Sequence, residues 1–150
     1  MTFNTLNYQM ILMLLLTGIP IWASGDEPET AAIKVLDQFM TAFNARDTEA
    51  WSDTLHYPHV RFASQTVKVY PDPAAFKRTL RFPSLIESGW HHSAWTQRSV
   101  TMASPEKVHI ETEFERFNDQ NESIGRFQSL YIVTKMNGNW GIQARSSLAP

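Results

Sequence analysis

Apolar positions in the first third of the chain recur at helical spacing. Ala32, Val35, Leu36, Phe39, Met40 and Phe43 fall on one stripe, because side chains three and four apart share a helix face. Asp26-Glu27-Pro28-Glu29 precedes the stripe with an acidic first turn, a proline where no N–H is needed, and a D-x-x-E capping pattern. The run Ala31–Leu55 therefore predicts one long amphipathic helix and a tight break at Asn44-Ala45-Arg46. A second short helix follows, with Asp47 as its N-cap and Ala50, Trp51 and Leu55 as its buried side. His56-Tyr57-Pro58 ends that helix. Short strands are expected near Val60–Ala63 and Thr66–Tyr70, split by Ser64-Gln65. Asp72-Pro73 opens a third helix with Ala75, Phe76 and Leu80 inward and Lys77, Arg78 and Arg81 outward, closed by Pro83.

From Trp90 onward the period changes from helical to alternating. Ser93–Met102, Lys107–Asn118, Glu122–Met136 and Asn139–Ser147 predict strands, separated by Ser104-Pro105, Asn118–Asn121 and Asn137-Gly138. The Asn-Gly step is a strong hairpin signal, since both residues tolerate the positive φ of a type I′ turn. Strands of this length favour strong curvature. The order of elements implies an α+β fold: a cone-shaped, strongly curved antiparallel sheet, with an N-terminal helical hairpin and a third helix packed on its concave face.

Composition narrows the chemistry mainly by exclusion. The 150 residues, 43% hydrophobic and 12% aromatic, suffice for one domain with its own core. A net charge of -2 offers no attraction for nucleic acid. The absence of cysteine excludes disulfides, thiolate metal sites and cysteine nucleophiles. All 13 basic and 15 acidic residues lie from Asp26 onward. The apolar run Met10–Ile21 is shorter than the roughly 20 residues a bilayer span needs. Small residues follow it at Ala23, Ser24 and Gly25. The expectation is a signal peptide over residues 1–25, cleaved near 23–25, a domain over 26–150, and a periplasmic or secreted protein without stable membrane insertion after signal removal.

The segments FMTAFNARDTEAW, HIETEFERFN and LYIVTKMNGNWGIQARSS resemble the nuclear-transport-factor-2-like superfamily in its SnoaL-like branch. The resemblance covers roughly Glu29 to Ser147 and implies a cone fold with a ligand-sized interior. It also implies a homodimer, because superfamily members often pair through the sheet. Activity is not implied, since function belongs to sites grafted on a fold. The ketosteroid isomerase subgroup needs a tyrosine on the first helix, a base aspartate after the second, and a protonated aspartate on a long strand. Matched through the N-A-x-D turn, the first two positions fall on Phe39 and near Ala63. Matched through R-F-N, the third falls on Glu113. One of three is retained, which argues against that mechanism.

Several clusters carry candidate chemistry. His56-Tyr57-Pro58-His59-Val60-Arg61 lies at the expected cone mouth, where it could hold an anion or supply a base near neutral pH; the histidines could equally satisfy backbone groups in a turn. Trp90-His91-His92-Ser93-Ala94-Trp95 could add metal ligands to His59 and Glu113, but no ligand spacing supports it, so no metal and no cofactor is expected. In Lys107–Asn118, strict alternation turns Glu111, Glu113 and Glu115 to solvent, whereas the resemblance turns Glu113 inward; one bulge would reconcile them. Arg126 and Arg145 could each clamp an anion or pair with those glutamates.

The leading expectation is an exported small-molecule-binding protein. Phe39, Phe43, Trp51, Tyr57, Trp90 and Trp95 form its apolar walls, and His59, Arg61, Glu113 and Arg145 fix the ligand. One alternative is an acid–base enzyme of lyase, isomerase or cyclase type, with His59 as base and Glu113 as acid. Another is a non-catalytic homodimeric interaction module.

Overall fold

The computed structural model describes residues 27–63 and 66–149; the expected leader and Ser64-Gln65 lie outside them. Helix α1 spans Pro28–Ala45 and buries Ala32, Val35, Leu36, Phe39 and Met40, the stripe read from the spacing. It stops at Arg46, whose left-handed backbone (φ 58) donates its N–H to the Ala42 and Phe43 carbonyls. A non-glycine residue in this region carries some strain. Here the side chain is held, donating to the His91 carbonyl and lying 5.0 Å over the Trp90 ring. Asp47 then caps α2 (Thr48–Asp53) by accepting from the Ala50 N–H at 3.0 Å.

The second helix is shorter than its periodicity suggests. Ala50 is exposed, and Leu55 begins strand β1 (Leu55–Phe62). The Thr54 carbonyl accepts from the Ile142 N–H at 2.9 Å, so the sheet captures the chain after one and a half turns. His56-Tyr57-Pro58 therefore lies within a strand and not in a turn. β2 covers Val67–Tyr70 and α3 covers Pro73–Lys77, capped by Asp72. Pro83 does not close α3. It sits in the first turn of an additional helix, α4 (Phe82–Glu87), a position where its missing N–H costs nothing.

The remaining strands are β3 (His92–Ser104), β4 (Lys107–Phe117), β5 (Ser123–Met136) and β6 (Asn139–Ser147). They form one open six-stranded sheet in the order β2-β1-β6-β5-β4-β3. The expected all-antiparallel sheet is corrected at one seam, where β1 runs parallel to β6. Those two strands are separated by two helices and the rest of the sheet, so no hairpin dictates their direction.

Register shifts bend the sheet. Extra residues stand in β3 between Trp95 and Gln97 and between Val100 and Met102, in β6 between Ile142 and Ala144, and in β1 between Leu55 and Val60. Helix α1 lies in the resulting hollow, with Phe39 edge-on to Tyr131 at 5.6 Å and to Trp51 at 5.5 Å. The core beneath it is Val108, Ile110, Val133 and Ile142, all fully buried.

At one place backbone and ring meet too closely for any side chain. The His56 ring, tethered by its Nδ1 to Thr134 Oγ1 at 2.9 Å, lies on Gly141; a Cβ there would stand 2.5 Å from Cδ2. Gly141→Ala is expected to cost about 1–3 kcal/mol of stability, as overpacking does. Combining it with His56→Ala should recover most of that cost. Denaturant titration of the two single variants and the double variant checks both statements.

Candidate functional site

Between the helices and the concave sheet face lies a cavity of ≈ 190 Å³. Helix α1 contributes Phe39, Met40 and Phe43, α2 contributes Trp51, and Phe76 of α3, Phe82 and Leu85 of α4 and Leu80 between those helices close it. The sheet supplies Tyr70, Trp95, Phe114 and Tyr131. Trp51 anchors the aromatic wall, 4.9 Å from Phe43 and 5.0 Å from Phe76 between ring centres.

The charge on this wall has one sign. Arg61, Lys68, Arg81, Arg116 and Arg145 line the cavity, and among the described residues no aspartate or glutamate does. Lys68, Arg61 and Arg145 are direct register partners on β2, β1 and β6, with Tyr131 next in the same row. Like charges directly opposite across strands are destabilising. Burial, and then the neighbouring Arg145 charge, push the Arg61 guanidinium below its ordinary range. Arg116 is lowered by burial and by Arg61, whose charge therefore reaches it from another strand. Burial raises the Tyr131 phenol, opposed by Arg145 beside it.

Arg145 reaches the cavity because β6 carries an extra residue. Strict alternation would put it on the face opposite Ile142. Ile132 pairs with Ala144 but Val133 pairs with Ile142, so Gln143 is bulged out and Arg145 returns to the concave side. Gln143 Nε2 donates to the Pro58 carbonyl, fixing the bulge to β1. The Arg145 guanidinium then lies 5.2 Å over Phe39 and 5.8 Å over Trp51. Arg116 lies 4.9 Å over Phe127. The Nε–H groups of Arg61, Arg116 and Arg145 and the indole N–H groups of Trp51 and Trp95 are buried with no acceptor among the described residues. None of the three arginines is in an ion pair there.

Of the residues expected at a site, Phe39, Phe43, Trp51, Arg61, Trp95 and Arg145 line the cavity. The others are placed elsewhere. Tyr57 turns its hydroxyl to Ser52 Oγ at 2.8 Å. Trp90 is buried behind Phe43 and donates to Ser93 Oγ at 2.9 Å. His59 is fully buried, Nδ1 against the Ile142 carbonyl at 3.0 Å, stacked near Tyr70 and edge-on to Phe76. Glu113 accepts from Thr96 Oγ1 at 2.9 Å and lies 3.5 Å from Arg126, on the face opposite Ile110 and Thr112.

β4 runs in unbroken register with β5 from Lys107 to Arg116, so no bulge turns Glu113 inward and strict alternation keeps it on the outer face. His59 and Glu113 are therefore not brought together. Neither do they join His91 and His92, whose Nδ1 atoms face each other at 3.2 Å. Among the described residues no three His, Asp or Glu side chains gather as a metal site. Tyr70, Phe114, Arg116 and Tyr131 are cavity residues that sequence reasoning missed. For Phe114 and Tyr131 the signal was present in the apolar face of their strands. For Arg116 it was the extension of that face by one more alternation.

A family model described as NTF2-like protein (DUF6841) matches residues 26–149. It specifies NTF2-like character and no SnoaL-like branch. Among solved structures, a protein of unknown function with a cystatin-like fold from Nostoc punctiforme superposes with TM-score 0.67 at 12% identity, over 81% of this chain and 90% of that one. An NTF-2 like protein of unknown function from Shewanella oneidensis gives 0.67 at 11%, over 82% and 100%. A ketosteroid isomerase-like protein from Erwinia carotovora atroseptica gives 0.62 at 18%, over 84% and 100%. At these identities the likeness is one of fold. No curated protein matches the chain.

His59 gives stability a pH dependence. Burial first, then the Arg145 charge, lower it from 6.5 to about 4, outweighing the Ile142 carbonyl. The unfolded chain takes up a proton below pH 6.5 while the native one refuses it until about 4. Stability present above pH 6.5 is thus lost as pH falls toward 4, on the order of 3 kcal/mol. Half-buried His56 is lowered in the same sense. Denaturant midpoints at pH 7 and pH 5 should differ clearly in the native chain, and by much less in His59→Gln.

Proposed function

This chain belongs to the NTF2-like protein family DUF6841, and on that footing we propose that its cone is a binding chamber for a small, partly apolar molecule. The observation that carries the proposal is an aromatic cavity of ≈ 190 Å³ lined by Arg61, Arg116 and Arg145, none of them in an ion pair among the described residues. Pockets of this kind combine apolar walls with a few polar groups that fix orientation. Binding is favoured over acid–base chemistry because the two groups proposed for it lie apart: His59 in the core, Glu113 paired with Arg126. A buried imidazole lowered to about 4 is a poor base near neutral pH.

Trp51 and Trp95 on the wall make occupancy visible. Ring-sized compounds with polar substituents should quench their fluorescence saturably. Thr79→Phe, a bulkier side chain at an exposed position of the cavity lining, should weaken that quenching at least about tenfold. A panel in which no compound saturates the signal ends this reading.

Export and self-association belong to the same proposal. The charge-free residues 1–25 with their apolar run support export. Among the described residues, no helix is long and apolar enough to cross a membrane. Exposed Met102, Leu130 and Leu148 on the outer side of the sheet support pairing with a second copy. Native mass spectrometry of protein recovered outside the cytoplasm is expected to give a dimer of chains beginning near residue 24 to 26. An intact leader or a monomer removes the corresponding part.

A further inference from the structure

The geometry points to a small organic acid as the occupant: a carboxylate, on a body about the size of one ring, gripped by Arg61, Arg145 and Arg116. This inference rests on the binding reading above and names its ligand class.

Charge placement is the first support. A chain of net charge -2 places half-buried Arg61, Arg116 and Arg145 on one internal wall, and no carboxylate lines it among the described residues. On the outer face of the same sheet the usual solution is present, Arg126 between Glu113 at 3.5 Å and Glu115 at 3.2 Å. The inner row Lys68–Arg61–Arg145 has no such partner among the described residues. Opposed like charges at reduced solvation are costly, and an anion between them turns repulsion into attraction.

Hydrogen-bond chemistry is the second. Arginine donates and cannot accept, and so does the indole N–H. The Nε–H groups of Arg61, Arg116 and Arg145 have no acceptor among the described residues, and a ligand reaching these guanidiniums meets donors only, which suits a group rich in lone pairs. A carboxylate offers about four lone-pair directions in one plane, matched to the planar fork of guanidinium. Phe39 under Arg145 and Phe127 under Arg116 hold the two forks in fixed planes before any ligand arrives.

Size is the third. A cavity of ≈ 190 Å³ leaves room for a ring-sized body, since a void of about 150 Å³ holds benzene.

Benzoate, its neutral isostere benzamide, and inorganic phosphate are the probes, titrated calorimetrically into the full chain at low and at high salt. Benzoate should bind at least about tenfold tighter than benzamide and than phosphate, with an advantage that shrinks as salt rises. Arg61→Met should abolish the preference and raise the unfolding midpoint of the ligand-free protein, because one opposed charge is gone; a merely structural arginine would lower it. Should that variant fail to fold, the three probes on the native chain still decide. Equal affinity for benzamide overturns the acid while leaving the small-molecule chamber standing. Phosphate as tight as benzoate overturns the organic body. Binding of none of the three overturns this inference, and with the fluorescence panel also blank, the chamber as well.

Discussion

Gln143, the extra residue in β6, is the constraint on which the internal chemistry depends. A strand alternates faces with period two, so one inserted residue moves everything beyond it to the other side. Ile142 stays in the core, and Arg145 and Ser147 turn into the cavity. Were Gln143 paired regularly with Ile132 and not bulged, Arg145 would join the solvated outer face and Ala144 would sit beside Tyr131. The same residue donates to the Pro58 carbonyl, so the shift in β6 and the shift in β1 are fastened to each other. That coupling lets Arg61 and Arg145 arrive opposite one another across a parallel seam.

The helix hairpin is held over this sheet by a polar clasp. Asn44 Nδ2 donates to the Ser93 carbonyl at 2.8 Å, and Asn44 Oδ1 accepts from the Ser93 N–H at 2.9 Å. One side-chain amide thus acts as a strand partner for the first turn of β3. Trp90 buries its ring behind Phe43 and spends its indole N–H on Ser93 Oγ. The end of α1, the break at Arg46 and the entry to β3 therefore form one unit, and Phe39, Met40 and Phe43 are aimed into the cavity as a consequence.

The two faces of the sheet answer the same electrostatic problem in opposite ways. Outside, glutamates of β4 lie beside Arg126 in water, where such pairs contribute little to stability. Inside, guanidiniums lie against aromatic faces with buried donors unanswered. A protein selected only to be stable would fill or neutralise that interior, and groups held at a cost to stability are characteristic of functional sites.

Local pattern alone determined a good deal: the α1 stripe, the Asn44–Arg46 break with its Asp47 cap, the four long strands, the hairpin at Asn137-Gly138, and the outward facing of Glu111, Glu113 and Glu115. Each is set by propensity, capping or alternation within a few residues, and these forces act before any distant contact forms. Tertiary structure alone decided that α2 stops at Asp53, because β6 takes the Thr54 carbonyl. It also decided that β1 runs parallel to β6, that His59 is sealed in the core, and that Arg61, Lys68 and Arg145 share one row. Those outcomes depend on register between segments some 80 residues apart, through contacts such as His59 to Ile142. A bulge, which costs the local sequence almost nothing, reverses the facing of every residue after it.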